Sequence, residues 1–155
     1  ALRFIPPLSL IPLLILWLGI GEAAKLSIVF LASFFPIYLN VFSGFKQIDK
    51  SYKELAFMLR LNRMERFKHI EFPASLPNIF TGLRLGFGYS WRALVGAELI
   101  AASSGLGYLI GDAGEMSRTD KVFVGILCIA VLEVLGDQLF QLFGKRLTPW
   151  MKNKW

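Results

Sequence analysis

Cysteine occurs once in these 155 residues, as Cys128, and histidine once, as His69. A lone cysteine excludes an intrachain disulfide framework, and one imidazole with one thiol leaves no metal-ligand spacing. No G-x-x-x-x-G-K-[ST] run occurs, so the chain carries no P-loop for a nucleotide. Charge is also scarce. Only 18% of residues are Asp, Glu, Lys or Arg, against about a quarter in soluble domains. What fills the space is apolar: 55% of residues are hydrophobic and the mean hydropathy is +0.55.

The apolar residues fall in four blocks, at 4–20, 26–45, 76–102 and 122–144. A helix rises about 1.5 Å per residue, so about 20 residues cross a hydrocarbon core about 30 Å thick. The last three blocks are long enough and the first is marginal. The sequence therefore reads as all-α, a polytopic integral membrane protein with about four transmembrane helices in one domain over 1–155. The competing reading is a soluble protein with buried helices. Cys128, inside the fourth block, is expected to be a buried small hydrophobe. Pro6, Pro7 and Pro12 interrupt the first block and Pro36 the second, which predicts kinks or a broken helix. Gly82 and Gly86 stand four apart, the spacing that lets membrane helices approach closely. Ala1 stands without an initiator methionine or a leader and cleavage site, so the chain is expected to be a fragment with upstream spans missing.

The net charge of +6 invites a nucleic-acid reading, but its distribution argues against one. Lys46, Lys50, Lys53, Arg60, Arg63, Arg66 and Lys68 crowd one loop, and Lys145, Arg146, Lys152 and Lys154 crowd the tail. The alternate loops carry little: Glu22 and Lys25 in one, Asp112, Glu115, Arg118, Asp120 and Lys121 in the other. Lys and Arg thus alternate from loop to loop, as the positive-inside rule requires. Arg3 is then cytoplasmic, residues 46–73 form a cytosolic loop, and 103–121 an extracytoplasmic segment along or dipping into the outer face. The partner that basicity points to is the lipid bilayer.

Within the cytosolic loop Leu55, Met58, Leu61, Met64, Phe67 and Ile70 recur every third residue. One continuous helix cannot use that repeat, because it drifts about 60° per step against a period of 3.6. Two short helices with a break between them can. Ser51 with Glu54 reads as a capping box for the first, and Asn62 with Glu65 as one for the second. Pro73 is expected to stop the second helix and Pro77 to start the next span. The result is a helix–turn–helix with an apolar and a cationic side. It rests on lipid headgroups or fills a groove on a cytosolic protein.

The run from Glu54 to Pro73 resembles the EAA loop of inner-membrane permease subunits of ABC importers, with its pattern E-A-A, a glycine, then I-x-L-P. Glu54 and Ala56 match the first and third positions, and Ile70 with Phe72-Pro73 stands at I-x-L-P. Arg60 departs from the pattern by occupying the glycine position, which leaves Asn62 as a residue able to take a left-handed turn conformation. The stretches 3–20 and 82–109 resemble the nitrate, sulfonate, taurine and bicarbonate branch, so the likeness covers the whole chain. It implies a fold like that of type I ABC importer permeases, usually six spans, of which these would be the last four. It implies a multi-pass protein of the bacterial plasma (inner) membrane that pairs with a second, usually identical, permease copy. Cytosolic ATP-binding ABC subunits would dock on Glu54, Ala56, Arg60, Leu61, Asn62, Met64, Phe67, Ile70 and Pro73. An extracytoplasmic substrate-binding protein would deliver a small anion such as a sulfonate, taurine or nitrate, or else a vitamin precursor. The chain itself would bind no cofactor, since ATP and Mg would sit on the partner subunit.

Five ionisable residues fall at membrane depth, where charge is costly and functional by default: Arg84, Arg92, Glu98, Glu133 and Asp137. Arg84 lies near the cytosolic end, where it can snorkel. Arg92 and Glu98 are six apart and share no helix face, so a direct pair is not expected. Glu98 is assigned to a gate or dimer interface, and Arg92 to an anion pathway. His69 suits an interface or a solvated face. The alternative from another class is an ion-coupled secondary transporter using Glu98, Glu133 and Asp137. A membrane enzyme would need a catalytic cluster that the sequence does not contain.

Overall fold

A computed structural model of the chain describes residues 5–147; of Lys53, Lys145 and Leu147 only the backbone is described. Arg3, Lys152 and Lys154, which entered the charge pattern, lie outside the described residues. Among those residues every regular element is helical. A 3₁₀ turn at Pro7–Leu10 leads into α1 (Ile11–Leu18), followed by α2 (Glu22–Lys46) and α3 (Lys50–Met58). Then come α4 (Arg63–Arg66), a π turn at Phe67–Glu71, α5 (Phe72–Ala101), α6 (Leu106–Glu115) and α7 (Thr119–Leu147).

The prolines act differently from one another. Pro7 opens the 3₁₀ turn and Pro12 sits at the start of α1, where no donor is missed. The first block is therefore broken, as expected, and yields only the short apolar stretch Pro7–Leu18. Pro36 does not break α2, which runs through it. Two helices are by themselves long and apolar enough to cross a membrane: α2 and the Thr119–Gly144 part of α7. Arg63–Ala101 qualifies as a third when joined to α6 across a 43° bend. The expected four spans thus resolve into two full ones, one bent pair and one short helix.

The aromatic residues of α2 sit largely outside, and the buried cluster is built from alanine and isoleucine. Ile11, Ile28, Ala32, Ala93 and Ala97 form the buried cluster, while Phe30, Phe34, Tyr38 and Phe42 form an exposed ring ladder along α2. That arrangement suits lipid, whose tails are as apolar as Leu and give no reason to hide large side chains. The most extensive helix pair, α2 with α5, closes on glycines. A Cβ built on Gly82 would lie 2.8 Å from the Asn40 Cβ, and one on Gly44 2.8 Å from the Asn78 Cβ. Gly86 would meet Ile37 Cγ1 at 2.6 Å. The close approach expected of Gly82 and Gly86 is made against α2. Cys128 corrects the expectation of burial: it is exposed, on a face of α7 that also exposes Phe123, Val124, Leu127 and Val131.

Candidate docking hairpin and polar cleft

The first candidate site is the hairpin of α3 and α4. Asp49, not Ser51, caps α3, its carboxylate accepting from the Ser51 amide at 2.9 Å and the Ser51 hydroxyl at 2.8 Å. The box expected at Ser51 and Glu54 does not form, because the helix begins at Lys50, two residues too early for Ser51 to cap it. These two donors, backbone first, hold the Asp49 carboxyl below the usual aspartate range. The depressed value means that the cap is intact above the unfolded pKa and is lost as pH falls through the folded one.

The break between the helices is a Schellman turn. The Leu61 amide donates to the Ala56 carbonyl at 3.1 Å and the Arg60 amide to the Phe57 carbonyl at 3.0 Å. Such a turn needs one left-handed residue, and it is Arg60, at φ +51°. Asn62, the residue expected to take that conformation, instead has φ −71° and caps α4. It accepts from the Glu65 amide while the Glu65 carboxylate accepts from the Asn62 amide, both at 2.9 Å, so the second box forms as expected. A left-handed non-glycine residue costs about 1–2 kcal/mol. Arg60→Gly is therefore expected to stabilise the hairpin by about 1 kcal/mol, read as slower limited proteolysis between residues 57 and 63.

Pro73 does not stop the second helix. The chain continues from Arg63 to Ala101 through the π turn, where the Phe72 amide reaches back to the Phe67 carbonyl. The widened turn gives the Pro73 ring room against the carbonyl four residues before it. Pro77 consequently lies inside α5 instead of opening a span.

The apolar repeat is divided by this geometry. Met58 and Met64 are 79% and 72% exposed, and Leu55 is also exposed. Phe67 is tied down, stacked on Phe45 at 5.9 Å and against Phe72 at 6.0 Å. Ala56 is buried, Leu61 is half-buried and Glu54 is exposed. Tyr52, Leu55, His69, Ile70, Pro73 and Ala74 line a groove of about 220 Å³ between α3 and the rising helix. The repeat missed Phe57, 85% exposed, and Leu59. Their signal was a triplet, Phe57-Met58-Leu59, at the end of a charged helix. His69 is exposed, with Nδ1 3.1 Å from the Glu65 carbonyl.

The second candidate site is a cleft of about 780 Å³ between α5 and α7. It gathers four of the five membrane-depth charges. Arg84 points across to α7. It pairs with Asp137 through Nε and, at 2.7 Å, through Nη2, and Asp137 also accepts from Gln141 at 2.9 Å. Arg92 reaches Glu133 at 3.0 Å through Nη2. Gly88 lies between the two arginines on α5, facing the Glu133 carboxylate, which would be in ordinary contact, 3.8 Å, with a Cβ there. Glu133 and Asp137 are one turn apart on α7 while Arg84 and Arg92 are two turns apart on α5, so each pair shares a helix face. That spacing was the available signal for the pairing.

Glu98 is elsewhere, and it does not pair with Arg92. Its carboxylate accepts from the Gly107 amide at 2.9 Å and so caps α6 from the neighbouring helix. The approach requires glycine at both ends of this corner. A Cβ on Gly107 would lie 2.5 Å from the Val95 carbonyl oxygen, and one on Gly105 would collide with the Glu98 carboxyl.

Membrane-length helices with large residues outward and a charged hairpin between them define an integral membrane protein. Residues 1–149 match the family described as binding-protein-dependent transport system inner membrane component, and the chain belongs to that family. It is 42% identical over 152 residues to the putative aliphatic sulfonates transport permease protein of Bacillus subtilis, covering 98% of this chain and 55% of that one. It is 40% identical to the taurine transport system permease protein of Escherichia coli, over 96% of this chain and 54% of the relative. To the nitrate import permease protein of Synechocystis it is 32% identical, over 96% and 54%. The chain spans about half the length of these curated relatives.

Proposed function

We propose that the protein is the transmembrane permease subunit of an ATP-driven ABC importer for a small anion. The observation that carries this reading is the α3–α4 hairpin. It holds Phe57, Met58, Leu59 and Met64 outward at a capped turn between helices of membrane length. Unpartnered apolar side chains on a rigid turn are what a groove on another protein takes up. The partner is a cytosolic ATP-binding subunit, which supplies ATP and Mg. A second permease copy completes the pathway, and a binding protein delivers the substrate from outside. The substrate class, a sulfonate, taurine or nitrate, is taken from what the relatives are named for.

The ion-coupled alternative needs carboxylates free to exchange protons or cations at membrane depth. Glu133 and Asp137 are held by arginines and Glu98 by a backbone amide, which favours the ATP-driven reading. The test is copurification. The ATPase subunit is expected to elute with the intact permease and to be lost when residues 54–72 are replaced by a Gly/Ser linker. Uptake that survives blocked ATP hydrolysis but stops when the proton gradient collapses would establish the secondary transporter instead.

A further inference from the structure

The two ion pairs of the α5–α7 cleft are not equivalent. Arg84 gives Asp137 two hydrogen bonds, and Asp137 takes a third from Gln141. That pair is closed on itself. Arg92 gives Glu133 one hydrogen bond, the only one its guanidinium makes among the described residues, and its side chain is 65% exposed. A guanidinium carries five donors in a planar fork that fits an oxyanion bidentately. Four of those at Arg92 are unused, and they lie along an open cleft. Glu133 is fourteen residues from Thr119 and fourteen from Leu147, at the middle of α7.

Resting on the reading of the protein as an anion importer, we propose that Arg92 is the anion-contacting group of this cleft. Glu133 is its one-point counter-ion, which an incoming sulfonate or nitrate replaces. The shared chemistry is a monovalent oxyanion offering two or more oxygens to the fork. Exchange suits passage better than storage. Before the anion arrives, Glu133 keeps Arg92 from standing uncompensated at membrane depth, which is costly. While the anion is bound, Glu133 is left unpaired, so the carboxylate drives the anion off again. Arg84 and Asp137 take no part in the exchange and keep α5 and α7 in register one turn of α7 away from it.

The test uses the full-length permease in nanodiscs, with Cys128→Ser to remove the exposed native thiol and Ala130→Cys placed in the cleft wall. Its labelling by an anionic reagent, sulfonatoethyl methanethiosulfonate, is compared with that by the cationic trimethylammonioethyl analogue. Each rate is normalised to a small thiol in solution. An electropositive focus is expected to favour the anionic reagent by about tenfold, and methanesulfonate is expected to slow its reaction. Glu133→Gln should raise the preference. Arg92→Met with Glu133→Met removes both charges without leaving either unpaired, a change that is often neutral for stability, and should abolish the preference.

Equal normalised rates, a cationic preference, or a preference unchanged in the paired methionine variant would overturn the proposal. If that variant does not fold, the first comparison and the methanesulfonate competition still decide it. Labelling needs neither ATP nor a partner. A permease that shows the preference yet fails to hold an ATPase would sink the importer reading alone.

Discussion

Asp137→Ala is expected to lower the thermal midpoint of the solubilised protein sharply. The change strands Arg84, which loses both of its hydrogen bonds in α5. Both side chains line the α5–α7 cleft, between helices of membrane length. An uncompensated arginine at a helix centre costs about 3 kcal/mol on insertion scales, and with the two side chains 36% and 35% exposed the loss falls between that and the roughly 1 kcal/mol or less of a surface bridge. Arg84→Met combined with Asp137→Leu should recover most of the loss, because neither charge is then left behind. The measurement is the unfolding midpoint in one detergent for the wild type, the single variant and the pair. If the single variant loses less than about 1 kcal/mol, the pair behaves as an exposed surface bridge and the α5–α7 cleft is wet throughout.

The second large effect is at the α2–α5 seam. Gly82→Leu should separate the helices, since even the first carbon of the new side chain lies 2.8 Å from the Asn40 Cβ and 3.2 Å from the Ile37 carbonyl oxygen. Overpacking of this kind costs about 1–3 kcal/mol, and here the obstacle includes backbone that cannot turn aside. Gly86→Ala should be milder, because its nearest neighbours are the Cγ1 and Cδ1 ends of Ile37, at 2.6 and 2.7 Å, which a rotamer change can move. Gly114→Ala is the control, with nothing within 4 Å. The three variants should rank in that order by midpoint in detergent. A Gly82→Leu variant as stable as the Gly114 control would mean that the seam is not closed.

Much of this architecture is legible in the sequence wherever one residue type has one physical use. The apolar blocks gave α2, α5 and α7, and the Gly82–Gly86 spacing gave a close seam, because both depend on local composition. The hairpin followed from a repeat that no single helix can use. Where the reading went astray, a competing contact decided the outcome. Ser51 lost the cap to Asp49, two residues earlier, because either residue type can serve. Arg60 took the left-handed position because the Schellman hydrogen bonds outweigh its cost, whereas propensity alone pointed to Asn62. Pro73 was tolerated because a π turn upstream made room for it, an option that residue preferences do not reveal. Cys128 was placed inside on the assumption that apolar means buried, which fails once the surroundings are themselves apolar. The pairing of Arg84 with Asp137 spans 53 positions and could be suggested only by matching faces on two helices.

The uninterrupted course from Arg63 to Ala101 has a mechanical consequence. At about 1.5 Å per residue these 39 residues make a strut about 58 Å long. One end is clamped to the hairpin turn by the Asn62 cap, and the other meets α6 at the corner fastened by Glu98. A strut of that length turns a tilt of about 6° at its foot into about 6 Å of travel at its head. Its two prolines and its π turn all lie between Phe67 and Pro77, so the bending these features allow lies in its lower two-fifths, and the part beside the cleft moves as one piece.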